Sequence, residues 1–164
     1  MTVNFVQATK TDLPLIVAIY NQNIASKTVT ADLKSVTVAQ RQNWFNEHNN
    51  QRPLWVIMVN EQLAGWVSLE SFYGRAAYHA TVEISIYLDR KFQHRGLGTK
   101  ALRYVAVQTQ RLNIHTILAY VFSSNKASQA LFKAAGYQVY GHLPQVADMA
   151  GQLIDLDILG KKFA

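Results

Sequence analysis

The sequence predicts an α/β fold, a mixed sheet with helices packed on it, because two hydrophobic periods alternate along the chain. Thr81–Leu88 sets Val82, Ile84, Ile86 and Leu88 in alternation with Thr81, Glu83, Ser85 and Tyr87, a strand with one core face and one polar face. Residues 97–112 then carry Leu97, Ala101, Val105 and Leu112 on one helical face, and Thr116–Phe122 returns to a strand, giving a strand-helix-strand unit. Leu54–Val59 and residues 63–72 flank a turn at Asn60-Glu61-Gln62 and read as an antiparallel hairpin.

The remaining elements follow in order. Val3–Gln7 alternates as a short strand. Thr11-Asp12-Leu13-Pro14 predicts a helix start, with a capping side chain and a proline in the first turn, and Leu15, Ile16, Ile19 and Tyr20 supply its apolar stripe. Thr37, followed three residues later by Gln40, has the spacing of a capping box and opens a helix carrying Trp44 and Phe45, expected to stop near Asn49-Asn50. Tyr73-Gly74-Arg75 breaks the chain before the strand at Thr81. Asn125 opens a helix through Ala135, Gly136 stands where a left-handed cap is wanted, and strands are expected around 137–142 and 153–159. Nothing is repeated, and Pro14, Pro53 and Pro144 are too dispersed to mark a linker, so residues 1–164 are expected to form one domain.

Composition narrows the chemistry. With 49% apolar and 11% aromatic residues the 164-residue chain can bury a substantial core. With no cysteine it has no disulfide, thiolate zinc site or cysteine nucleophile. His48, His79, His115 and His142 show no metal-ligand spacing, and no metal is expected. No basic stretch leads into an apolar one at Met1-Thr2-Val3-Asn4-Phe5, and no apolar run approaches the roughly 20 residues that span a bilayer, so a soluble cytoplasmic protein is expected. The net charge of +6 favours anionic partners. The tightest basic cluster, Arg90-Lys91 with Arg95 and Lys100, flanks a glycine loop and lacks interleaved aromatics. That suits a small phosphorylated ligand better than nucleic acid or a membrane.

The loop is Gln93-His94-Arg95-Gly96-Leu97-Gly98-Thr99, between a strand and a helix. Its glycines let backbone N–H groups crowd an anion, and a helix N-terminus adds partial positive charge, a combination suited to a pyrophosphate. A tight helix entry needing small residues is the plainer reading of the same glycines. The Gly-Lys-Ser/Thr of a Walker loop is missing, as is the glycine two before Gly96 that a dinucleotide fingerprint needs, so nucleotide hydrolysis and hydride transfer recede.

In this context Gln93 to Gly98 resembles the pyrophosphate motif of the GNAT acyltransferases, Gln/Arg-x-x-Gly-x-Gly/Ala. The run from Ser124 and Asn125 to Gly136-Tyr137 is similar to that superfamily's second signature. The resemblance extends nearly end to end to one branch, the phosphinothricin and methionine-sulfone N-acetyltransferases, through Ile19-Tyr20-Asn21, Thr28-Val29 and Arg75-Ala76-Ala77-Tyr78-His79-Ala80-Thr81-Val82-Glu83. It implies a mostly antiparallel sheet splayed between the strands ending near Leu88 and Phe122, with the pantetheine of acetyl-CoA lying in the gap as a pseudo-strand. The residues it assigns to that cofactor are Ile86, Tyr87 and Leu88, the loop from Gln93, His94, Arg95, Gly96, Leu97 and Gly98 to Thr99, then Asn125 and Phe132. The branch the chain resembles is often dimeric.

Amine acetylation needs a deprotonated acceptor held on the thioester, with oxyanion and thiolate stabilised. Glu83, mid-strand on the polar face, is the candidate base, against an ordinary solvated or ion-paired strand glutamate. Arg75 is the candidate for an acceptor carboxylate, against a plain surface arginine. Tyr78 would orient the acceptor, against simple packing. Asn125 is also a good helix cap.

Two departures stand out. Many GNAT enzymes carry a tyrosine in the Asn-initiated helix that protonates the leaving thiolate, and here Phe132 occupies that place. The branch often has Trp-His-Asp near its end, where this chain reads Leu153-Ile154-Asp155. The expected activity is acetyl transfer to the primary amine of a small molecule, an amino acid or analogue. The rivals are a protein or peptide N-acetyltransferase and a non-catalytic acyl-CoA sensor. The aromatics Trp44, Phe45, Trp55 and Trp66 suit either a core or an interface.

Overall fold

A computed structural model describes residues 1–164. In chain order its elements are β1 (Val3–Gln7), α1 (Leu13–Asn21), α2 (Val38–Asn46), β2 (Leu54–Val59), β3 (Gln62–Ser71), β4 (Thr81–Leu88), α3 (Leu97–Gln108), β5 (Thr116–Phe122), α4 (Lys126–Ala134), β6 (Gln138–Met149) and β7 (Gln152–Lys162). The strands form one seven-stranded sheet in the order β1-β2-β3-β4-β5-β7-β6. Every neighbouring pair is antiparallel except β4 with β5.

Strand alternation sends alternate side chains to two cores. Val82 and Ile84 of β4 pack with Ile117, Ala119 and Val121 of β5 beneath Leu102 and Val105 of α3 and Phe132 of α4. On the opposite face Leu54, Val56 and Trp66 meet Ile16, Ile19 and Tyr20 of α1, with Trp44, Phe45 and Tyr87 against them. Each large side chain so buried contributes about 1.5–3 kcal/mol. Trp55 and Trp66 are buried, and Trp44 stacks edge-on against Trp66 at 5.3 Å, so these aromatics belong to the core. No helix is long and apolar enough to cross a membrane.

Several boundaries differ from the sequence expectation, each for a local reason. The first helix is entered two residues early: Asp12 Oδ2 accepts the Thr9 N–H at 2.8 Å across a short 3₁₀ turn, and α-helix begins at Leu13. The α2 cap is as expected, Thr37 Oγ1 accepting from the Gln40 N–H at 3.1 Å. That helix stops at Asn46, short of Asn49, whose Oδ1 accepts the N–H groups of Gln51 and Arg52 and closes a turn instead. α3 ends at Gln108, where the buried Thr109 turns its hydroxyl back onto the Ala106 carbonyl. The last two strands are longer than expected, because two register shifts in β6, at Val139/Gly141 and Leu143/Ala147, break the alternation that would reveal it.

Candidate active site

β4 and β5 are paired only at Thr81–Thr116, Val82–Ile117 and Glu83–Leu118. Beyond that point they diverge, although β4 runs on to Leu88 and β5 to Phe122. The β5-facing edge of β4 is therefore unpaired from Ile84 onward, a fork in the sheet. A cleft of roughly 350 Å³ opens there. Its walls are Ile86, Tyr87 and Leu88 of β4, then Gln93, His94 and Gly96 to Thr99, then Asn125, Ala127, Ser128 and Leu131 around the start of α4.

The loop is shaped by two left-handed residues, His94 (φ 60°) and Gly96 (φ 73°), the second standing at the N-cap of α3. No side chain caps that helix, so its first N–H groups point into the cleft unclaimed. The two glycines serve different ends. At Gly96 a Cβ would meet open space, and the positive φ is what requires glycine. At Gly98 a Cβ would lie 2.9 Å from Leu131 Cδ2, so the missing side chain lets α3 approach α4. Gln93 reaches back with Nε2 to the Leu88 carbonyl at 3.4 Å, tying the loop to the end of β4. Asn125 uses Oδ1 to accept the Ser128 N–H at 3.1 Å, which caps α4 and leaves its NH₂ without a protein partner.

Asn23 and Val29, which sequence patterns do not assign to the site, also line the cleft. They are held there by the joint between α1 and α2. Asn21 both donates to and accepts from the Val36 backbone at 2.9 Å, and the Tyr20 hydroxyl donates to Asp32, itself paired with Arg41 at 3.1 Å. The signal for this was present in Ile19-Tyr20-Asn21, whose Tyr20 and Asn21 find their partners ten or more residues further along the chain.

Two expected cofactor residues do not line the cleft. Phe132 is buried against Tyr137, ring centroids 5.0 Å apart, because its position on α4 faces the sheet core. The Arg95 guanidinium lies over the Phe92 ring at 5.2 Å, leaving the backbone of Arg95 as its share of the loop.

Glu83 lies at the apex of the fork, in the last bonded pair before the strands part. Its carboxyl is half-buried and its pKa is pushed up to about 6, first by burial and then by Glu70, its cross-strand partner on β3. Glu70 is anchored from the other side, accepting from Trp44 Nε1 at 2.6 Å. Beside Glu83 stands an aromatic group: Phe72 against Tyr73 at 5.0 Å and against Tyr78 at 5.6 Å. Tyr73 and Tyr78 are exposed, and Tyr73 is held at φ 58°. Arg75 begins the short turn that carries Tyr78, is exposed, and has no ion-pair partner in the protein. Glu83, Arg75 and Tyr78 are not among the walls of the cleft. What Glu83 offers is a carboxyl at the apex of the fork that stays ionised above about pH 6 and can accept a proton there.

The family model described as Acetyltransferase (GNAT) family matches residues 16–137. The chain belongs to the GNAT acetyltransferase family. As such it is an acetyl-CoA-dependent N-acetyltransferase. It is 42% identical over 154 residues, 93% of this chain and 94% of the relative, to Bacillus subtilis (strain 168) YwnH, to which phosphinothricin acetyltransferase activity is ascribed. It is 31% identical over 152 residues, 90% of this chain and 87% of the relative, to the L-methionine sulfoximine/L-methionine sulfone acetyltransferase of Pseudomonas aeruginosa PAO1. A crystal structure ascribed to a phosphinothricin N-acetyltransferase superposes with a TM-score of 0.96 at 40% identity, over 99% of both chains. Salmonella typhimurium yncA, solved with its cofactor acetyl-CoA, gives a TM-score of 0.91 at 25% identity, over 100% of this chain and 95% of that one.

Proposed function

We propose that this GNAT enzyme acetylates the primary amine of a small amino acid or amino acid analogue, with Glu83 as the base and acetyl-CoA lying in the fork between β4 and β5. The observation that carries it is Glu83 itself, a carboxyl raised to about 6 at the apex of the fork, on the strand that the exposed Arg75–Tyr78 turn leads into. At neutral pH it is ionised and basic enough to strip an ammonium group directly or through water.

The free amine then attacks the thioester carbonyl. The uncapped N–H groups of α3 would hold the pyrophosphate and the free NH₂ of Asn125 the pantetheine arm, so that most of the catalytic advantage is orientation. Arg75 would clamp an acceptor carboxylate in two parallel hydrogen bonds, and Tyr78 would pack on the acceptor's side chain. The names of the relatives support phosphinothricin and methionine sulfoximine or sulfone as acceptor types. Ile154, buried with Phe122 and Met149, offers no acid or base, so an acceptor that needs none from β7 fits best. Release of the product into the cytoplasm and a homodimer formed along the open edge of β6, where Val139, Tyr140, Leu143 and Val146 are exposed, belong to the same reading.

The test is thiol release from acetyl-CoA with a panel of amines: methionine sulfone, methionine sulfoximine, phosphinothricin, common amino acids, polyamines, aminoglycosides and basic peptides. Because the protein has no cysteine, a thiol reagent sees only free CoA. Turnover with the amino acid analogues is the expected result. Turnover confined to peptides, or acetyl-CoA binding with no turnover above hydrolysis, overturns it.

A further inference from the structure

Expelling CoA as a thiol requires a proton on sulfur, and several side chains that could carry one are absent or engaged elsewhere. There is no cysteine, and Phe132 has no proton and is buried away from the cleft. His48 lies across Glu70 with its Nδ1 on the Trp44 carbonyl, and His142 is occupied by Asp155 and Asp157 on the β6–β7 hairpin.

Tyr120 is differently situated. It lies on β5 two residues beyond Leu118, the partner of Glu83, and residues two apart on a strand share a face. Its ring therefore projects from the same side of the sheet as Glu83, roughly 7 Å further along β5, where the gap to β4 is opening. It is about one-third exposed (36%), its hydroxyl has no protein partner, and behind it the apolar Ile158 of β7 is its register neighbour. The charged and titratable groups that act on it are Glu83 of β4 and Tyr73 of the β3–β4 loop; with burial as the largest cause they hold the phenol protonated above its ordinary range.

Resting on the acetyl transfer proposed above, we infer that Tyr120 is the acid that protonates the departing CoA sulfur. After the ammonium proton that Glu83 first takes has passed to solvent, the amine lone pair forms the C–N bond and the again-ionised Glu83 takes the N–H proton. The C–S electron pair collapses onto sulfur, which takes the Tyr120 proton and leaves as the thiol. The resulting phenolate recovers a proton from the far more acidic Glu83 carboxylic acid alongside, directly or through water, and both groups return to their starting state.

The test compares wild type with Tyr120→Phe on two donors, acetyl-CoA and its selenium analogue, whose leaving group is much less basic and needs no proton. With acetyl-CoA, kcat is expected to fall by about 10²-fold while KM for the donor stays within about threefold. With the selenium analogue the two proteins should differ by no more than about threefold. An equal loss with both donors marks damage to the site, and no loss with acetyl-CoA leaves the proton to solvent; either overturns the assignment. Glu83→Gln run alongside separates the two readings, since loss of the base slows both donors alike.

Discussion

The two halves of the proposed site, one for the cofactor and one for the acceptor, are built on different principles. The cofactor half is backbone: the uncapped N-terminus of α3, the unpaired edge of β4, and glycines of which one supplies a left-handed turn and the other a close helix approach. The acceptor half is side chains: Glu83 and its neighbour Glu70, Arg75, the Phe72-Tyr73-Tyr78 group and Tyr120. A backbone site recognises something invariant, here the pyrophosphate and pantetheine shared by every acyl-CoA. A side-chain site can be exchanged piece by piece, which is how one fold serves many acceptors.

This division predicts that damage to either half leaves the other's measurement untouched. Glu83→Gln should have the largest effect, lowering kcat by about 10²- to 10³-fold with acetyl-CoA affinity within about twofold of wild type, by calorimetry on the same samples. Gly98→Val should do the reverse. The added side chain meets Leu131 and forces α3 from α4, an overpacking of about 1–2 kcal/mol that weakens acetyl-CoA binding by roughly tenfold, while kcat at saturation stays near wild type.

The smallest effect is expected at His142, which belongs to neither half. Its imidazole sits between Asp157 at 2.6 Å and Asp155 at 3.3 Å, and the hydrogen bond to Asp157 leads the causes that raise its pKa. A raised histidine contributes stability that is fully present below its unfolded value and is lost as pH rises through the folded one. Wild type should therefore melt slightly above His142→Gln at about pH 5.5, and the gap should close as pH rises through the raised value of the histidine. Acetyl-CoA affinity and kcat should not change.

Legibility in the sequence followed the same division. The cofactor half could be read because backbone sites are contiguous: Gln93 to Thr99 and Asn125 stand in short runs whose glycines and cap are dictated by the local path of the chain. The exceptions there are side chains, Phe132 turned into the core and Arg95 lying on Phe92, since a motif fixes the path of the chain better than the direction of each group. In the acceptor half Glu83 and Tyr78 could be singled out as candidates, but not Glu70, Tyr73 or Tyr120. Their nearness comes from β3–β4 and β4–β5 register, which no local pattern encodes. β1 and β4 were legible because their apolar residues alternate, and β2, β3 and β5 because they are short apolar runs bounded by turn residues. β6 was read short because its register shifts and Pro144 interrupt that alternation.

The role of Glu83 is tested most directly by kcat/KM for the acceptor against pH, in wild type and Glu83→Gln, with acetyl-CoA saturating. Wild-type activity is expected to rise through a limb near pH 6, where Glu83 loses its proton, well separated from the higher limb of the amine itself. In Glu83→Gln the lower limb should vanish and only the amine's remain. A wild-type profile with no limb near pH 6, or one that survives in Glu83→Gln, would contradict the assignment of Glu83 as the base.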